Sequence, residues 1–203
     1  PSRGLGDVYK RQVISLVQDK EIIWIISDKG IYKYSKENSK LTLALSTRKH
    51  FHSFRKYANK FIIGADNGQL YIYDPRKDDY SIMKFNTSAT LTRVKAYDSK
   101  HLLITAENDG FFLTDGYRGE GVHYTISNQL LSNEVNALYV EDSQKHIWIA
   151  YKNTTMITRI DSLGTYRKHY QLKMQKYDDS PRQISQDHDG RLWVFSKNEA
   201  LNY

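Results

Sequence analysis

Apolar residues along this chain come in short runs, broken at close intervals by polar turns, and three of the runs are built alike. "VISLVQDKEIIWIISDKGIYKY" begins at Val13, "VNALYVEDSQKHIWIAYKNTTMITRID" at Val135 and "ISQDHDGRLWVFSKNEALNY" at Ile184. Each passes from an apolar strand through an aspartate and a polar turn into a second apolar strand centred on tryptophan, and on through another turn into a third strand. Asp19 precedes Trp24 by five residues, while Asp142 and Asp187 precede Trp148 and Trp193 by six. Two weaker copies fill the gap, "FRKYANKFIIGADNGQLYIYD" and "VKAYDSKHLLITAENDGFFLTD". In them Ile62, and Leu103 or Ile104, take the tryptophan position, Asp98 is an aspartate of the same kind, and Gly68 and Gly110 align with Gly30.

From Trp24 through Ile62, Ile104 and Trp148 to Trp193 the steps are 38, 42, 44 and 45 residues. That matches the roughly 40–45 residues of a four-stranded propeller blade. Within the first copy, residues 13–18, 22–27, 31–35 and 41–46 read as strands split by the turn compositions "DK", "DKG" and "KENSK". No stretch keeps a 3.6-residue apolar period, so helix is expected to be scarce. "HIWIAY" is apolar on both faces, where a sheet with one wet face would alternate; a blade covered by a neighbour on each side explains this. The tryptophans are then expected to fill the gaps between blades. The fold class is therefore all-β: a β-propeller fragment of about four and a half four-stranded blades in an open arc, over residues 13–46, 52–90, 91–127, 134–173 and an incomplete 180–203. Residues 1–12, "PSRGLGDVYKRQ", lack a hydrophobic period, resemble translated sequencing adapter, and are expected to be a non-native leader.

"LLSNEVNALYVEDSQKHIWIA" (130–150) and "SPRQISQDHDGRLWVF" (180–195) resemble two-component regulator propeller repeats. That pattern runs from small polar residues through a valine or isoleucine, an aspartate and a glycine-containing turn to Trp-Ile-Gly-Thr and a glycine-leucine turn. The resemblance covers nearly everything from Gln12 to Tyr203. Departures are Ile62 and Leu103 in place of tryptophan, and the missing turn glycine in "YKNTTM" and "SKNEAL". The resemblance implies the periplasmic sensor region of a hybrid two-component protein of Bacteroidetes-type bacteria, with a membrane helix and histidine kinase outside this chain. It implies as partners an oligosaccharide ligand, further blades and downstream domains of the same protein, and a homodimer of the parent. It makes this chain non-catalytic in itself and implies no cofactor.

Composition narrows the chemistry. The 203 residues include no cysteine, which removes disulfides, thiolate metal sites and a cysteine nucleophile. No apolar run approaches the roughly 18 residues of a membrane helix. There is no G-x-S-x-G, phosphate-binding G-x-x-x-x-G-K or H-E-x-x-H motif. Asp187 and Asp189 resemble the start of a calcium loop, but Arg191 and apolar residues follow. A hairpin turn whose aspartate holds backbone amides is the better reading. His50 and His52, at i and i+2, have no third ligand nearby in sequence, so no metal site is expected. Asp78–Asp79 and Asp178–Asp179 fall in polar turns that supply no desolvation for acid–base work.

Net charge is +7, of which the leader supplies Arg3, Lys10 and Arg11 against Asp7. Two basic runs carry no acid. "TRKHFHSFRKYANK" (47–60) holds Arg48, Lys49, Arg55, Lys56 and Lys60, and "YRKHYQLKMQKY" (166–177) holds Arg167, Lys168, Lys173 and Lys176. Both are expected in the outer parts of their blades and the crossovers to the next, where Arg48, Lys49, Arg55, Lys56, Arg167 and Lys168 could bind an anionic oligosaccharide along one rim. The plainer reading is solvated blade edges on which lysines discourage sheet pairing. A propeller enzyme acting on polysaccharide and a protein-interaction scaffold are the competing functions; nucleic-acid binding has no motif behind it.

Overall fold

The computed structural model describes residues 11–116, 121–128, 130–162, 164, 166–173, 180–198 and 200–202. The leader up to Lys10, Lys176 and the Asp178–Asp179 pair lie outside them. Among the described residues there are nineteen strands and no helix. The first sheet holds β1 (Val13–Asp19), β2 (Ile22–Ser27), β3 (Gly30–Ser35) and β4 (Lys40–Ser46). The second holds β5 (Phe51–Tyr57), β6 (Lys60–Ala65), β7 (Gln69–Asp74) and β8 (Asp79–Lys84). The third holds β9 (Leu91–Ala96), β10 (His101–Ala106), β11 (Phe111–Asp115) and β12 (Gly121–Tyr124). The fourth holds β13 (Val135–Val140), β14 (Ile147–Tyr151), β15 (Met156–Ile160) and β16 (Arg167–Gln171). The last is three-stranded: β17 (Gln183–Gln186), β18 (Leu192–Phe195) and β19 (Ala200–Asn202).

Consecutive strands are neighbours in every sheet, because the turns between them are too short for anything but an antiparallel return. Lys20 and Ala58, in the two-residue turns before β2 and β6, have φ of 53° and 51°, the left-handed conformation that matches the twist of the flanking strands. In the turn after Trp148, which lacks the glycine, Asn153 has φ 58°. Asparagine tolerates that region better than other side chains, so the turn survives the departure from the repeat pattern.

Burial follows strand position. β6, β10 and β14 are almost wholly buried along both faces, whereas β8 and β16 at the far edge are mostly exposed. Ile62, Leu103, Trp148 and Trp24 are each 6% exposed or less, so these aligned positions share a buried environment whether or not they carry an indole, whereas Trp193 of the last sheet is only partly buried.

The chain divides into two compact units, Pro1–Ile104 with Thr114–Glu120, and Thr105–Leu113 with Gly121–Tyr203. In the first, Trp24 of the first sheet meets Phe61 and Tyr73 of the second edge-on, with ring centroids 5.5 and 5.7 Å apart, the geometry aromatic quadrupoles prefer. Ile26, Ile31, Leu45, Phe51 and Ile63 complete that core. β5 is tied to the third sheet by Ser53 Oγ donating to Leu91 O at 3.3 Å and Tyr57 Oη donating to Asp98 O at 3.2 Å. The opposite face of the first sheet is open: Leu16 is 63% and Leu43 55% exposed. In the second unit, Trp148, Ala137 and Ala150 of the fourth sheet pack against Ile184, Leu192 and Val194 of the last. Asn136 Nδ2 donates to Pro181 O at 2.6 Å across the same seam, and Tyr139 Oη to Gln186 at 3.3 Å.

Close approach of the sheets explains one glycine. A Cβ on Gly64 of β6 would lie 2.5 Å from both Leu91 O and Ser53 Oγ. Gly64→Ala is therefore expected to lower the free energy of unfolding by about 1–3 kcal/mol, measured by urea denaturation of the chain. An unchanged midpoint would mean that the second and third sheets do not approach as described.

Candidate functional site

The recurring acid and tryptophan form a turn clamp. Asp187 Oδ1 accepts the N–H groups of Asp189 at 3.0 Å and Arg191 at 2.9 Å, while Oδ2 accepts the Trp193 indole N–H at 2.8 Å. With both oxygens committed, the carboxylate braces a hairpin. The indole bond holds its pKa below the usual carboxylate value, outweighing desolvation, with further help from the Arg191 and Asp189 amides and the Arg191 charge. Asp189 is 2.9 Å from the Arg191 guanidinium, so the sequence resembling a calcium loop is internally paired. Asp98 plays the same turn role, accepting the N–H groups of Lys100 and His101.

The fourth sheet corrects the assignment of Asp142. Its indole, from Trp148, donates to Glu141 Oε1 at 2.5 Å, while Asp142 is fully exposed and 3.8 Å from Lys145. The acceptor is seven residues before the tryptophan there and six before Trp193; the extra methylene of glutamate spans the longer turn. Among the described residues no hydrogen bond joins Asp19 to Trp24. His52 pairs with Asp66 at 2.7 Å, and no group of three metal-ligating side chains occurs among the described residues.

The basic runs do not occupy equivalent places. Arg48 and Lys49 lie in the crossover from β4 to β5. Arg55 and Lys56 are on β5, the first strand of its sheet, next to β1 and β9 and not in an outer part. Arg167 and Lys168 are on β16, the edge strand of the fourth sheet, in the other unit. There Arg167 donates to Asn128 O at 3.2 Å and Lys168 Nζ sits 5.0 Å from the Tyr170 ring. The first run spans a crossover and the first strand of the next sheet, which composition alone does not separate. Arg93 and Lys95 on β9 join the basic strand set unannounced; desolvation lowers the pKa of Lys95, and the Arg93 and Arg55 charges lower it further.

Of the basic residues expected to bind, Lys56 lines the cleft between the first two sheets. Strand alternation sends Ser53, Arg55 and Tyr57 toward the third sheet, and Phe54 and Lys56 toward the first. The first sheet answers with a row across its strands, Val17, Trp24, Lys33 and Thr42. Beside the aromatic wedge of Trp24, Phe61 and Tyr73, the two sheets leave a cleft of about 830 Å³, within the size range of small-molecule sites. Lys20, Lys33, Lys40, Lys56 and Arg76 line it together with Asp19, Glu21 and Glu37. Lys33 Nζ stands 5.7 Å over the Trp24 ring. Arg76 is set by its N–H donating to Asp74 Oδ1 at 3.0 Å, while Asp74 Oδ2 holds Lys60 at 2.7 Å. Trp24 itself is 3% exposed and forms the cleft's floor, with no open ring face for stacking. Lys33 was detectable as the polar interruption in "GIYKYS", two residues after a buried isoleucine.

No family model matches the chain, and neither does any curated protein. Solved structures do. The extracellular domain of a protein classed as a one-component system in B. thetaiotaomicron superposes with a TM-score of 0.75 at 15% identity, over 96% of this chain and 26% of that one. The WD40 β-propeller domain of Doa1 gives 0.64 at 12% identity, over 94% of this chain and 62% of that one. The fold is that of a β-propeller. The extracellular domain of a protein classed as a hybrid two-component system, also from B. thetaiotaomicron, gives 0.65 at 17% identity, over 94% of this chain and 27% of that one. The propeller sheets described here thus span about a quarter of the length of those two extracellular domains.

The Asp187 clamp has a pH signature. A carboxyl whose pKa is depressed by folding adds stability above its unfolded value of 3.8 and loses it as pH falls through the folded value. Asp187→Asn is expected to lower the urea midpoint at neutral pH, with the gap to wild type closing below the ordinary carboxylate value. A gap independent of pH would contradict the clamp.

Proposed function

We propose that this chain is a ligand-sensing portion of a two-component-type signalling sensor, that it works in the periplasm, and that it binds an oligosaccharide without transforming it. The observation that carries the reading is the likeness, over 96% of the chain, to the extracellular domain of a protein classed as a signalling system. The hybrid two-component domain supports the same class of protein. The cleft of the first unit supports the ligand half: its lining of amino and carboxylate groups suits the hydroxyls of sugars. Phosphotransfer belongs to a histidine kinase elsewhere in the parent protein. Further blades of that protein cover the first sheet's open face, where Leu16 and Leu43 are exposed, since an apolar sheet face is stable only against a partner.

A panel of neutral and acidic oligosaccharides, titrated calorimetrically against the chain and chromatographed after prolonged incubation, tests this. Saturable binding of at least one member with no new product is the expected result. Chain-dependent cleavage or elimination products would overturn the sensor reading, as would the absence of any binding.

A further inference from the structure

We infer that the cleft between the first two sheets is an oxyanion site, which takes the carboxylate of a uronic acid or a sulfate ester on a sugar through Lys33, Lys56 and Arg76. The inference rests on the oligosaccharide-sensor reading and names the class of sugar. Its basis is where the charges stand. Lys33 stands on β3 beside Trp24 and Lys56 on β5 beside Phe61, both lining the cleft, and Arg76 comes from the turn between β7 and β8.

The cleft's carboxylates are exposed, Asp19 at the end of β1 and Glu21 and Glu37 on hairpin turns. Among the described residues none of the three forms an ion pair with Lys33, Lys56 or Arg76, so the cations nearest the apolar floor are not neutralised by contact. A bound oxyanion would be attracted by each of these cations. Flexible ammonium groups and one planar guanidinium can engage either a carboxylate or a sulfate oxygen set. The aromatic edges of Trp24 and Phe61 exclude water on one side, where such charge-assisted hydrogen bonds gain strength. The acidic groups can still accept sugar hydroxyls.

The intact chain is titrated calorimetrically with a trigalacturonate, a sulfated galacto-oligosaccharide and neutral galactotriose. Both acidic ligands, or one of them, are expected to bind, with affinity falling as salt rises; the arm that binds distinguishes carboxylate from sulfate. The exposed pair K56Q/R76Q is expected to weaken that binding by about tenfold or more without moving the thermal midpoint, and K33Q is expected to act in the same direction. If galactotriose binds as well as the acidic ligands, or K56Q/R76Q leaves acidic binding unchanged, the oxyanion site is wrong while the sensor reading stands. If no sugar binds, both fall.

Discussion

Each four-stranded sheet contains inner strands that are apolar on both faces, and only the face of another sheet can cover them. β14, buried at every position, could not exist at the surface of a two-layer protein without exposing isoleucine and tryptophan to water. Packing sheet against sheet satisfies this, and every recurring feature follows. Large aromatic wedges such as Trp24 on Phe61 fill the seams. Glycine stands at Gly64, where backbones come too close for a side chain. The far-edge strands β8 and β16, which need cover on fewer sides, are mostly exposed.

The same constraint determines what the acids do. In the last two sheets the indole N–H of the tryptophan needs an acceptor, and the acid that opens the hairpin below it supplies one. Asp187 serves Trp193 and two turn amides together. Glu141 serves Trp148. This leaves little catalytic freedom in the most conspicuous carboxylates of the chain, and directs attention to the charged groups that the seams leave uncommitted.

Repeat spacing and two-faced apolar strands made the fold legible before any coordinates, down to the four strands of the first copy. Those signals are periodic, and periodicity is what a sequence displays best. The site was much less legible. Lys56 belonged to an expected basic run, but its neighbour Arg55 points to the opposite side of the same strand, and no one-dimensional charge count separates them. Lys33 and Arg76 come from different sheets and line one cleft only once the two sheets pack. The exchange of Asp142 for Glu141 shows the limit at finer scale: one residue of turn length and one methylene compensate each other invisibly in an alignment.

Native-state hydrogen exchange tests the sheet-against-sheet account most directly. If face cover stabilises the inner strands, the amides of β2, β6, β10 and β14 exchange slowest and those of β4, β8 and β16 at least tenfold faster. Equal protection of inner and far-edge strands would contradict it, because hydrogen-bonded pairing alone would then be holding the sheets together.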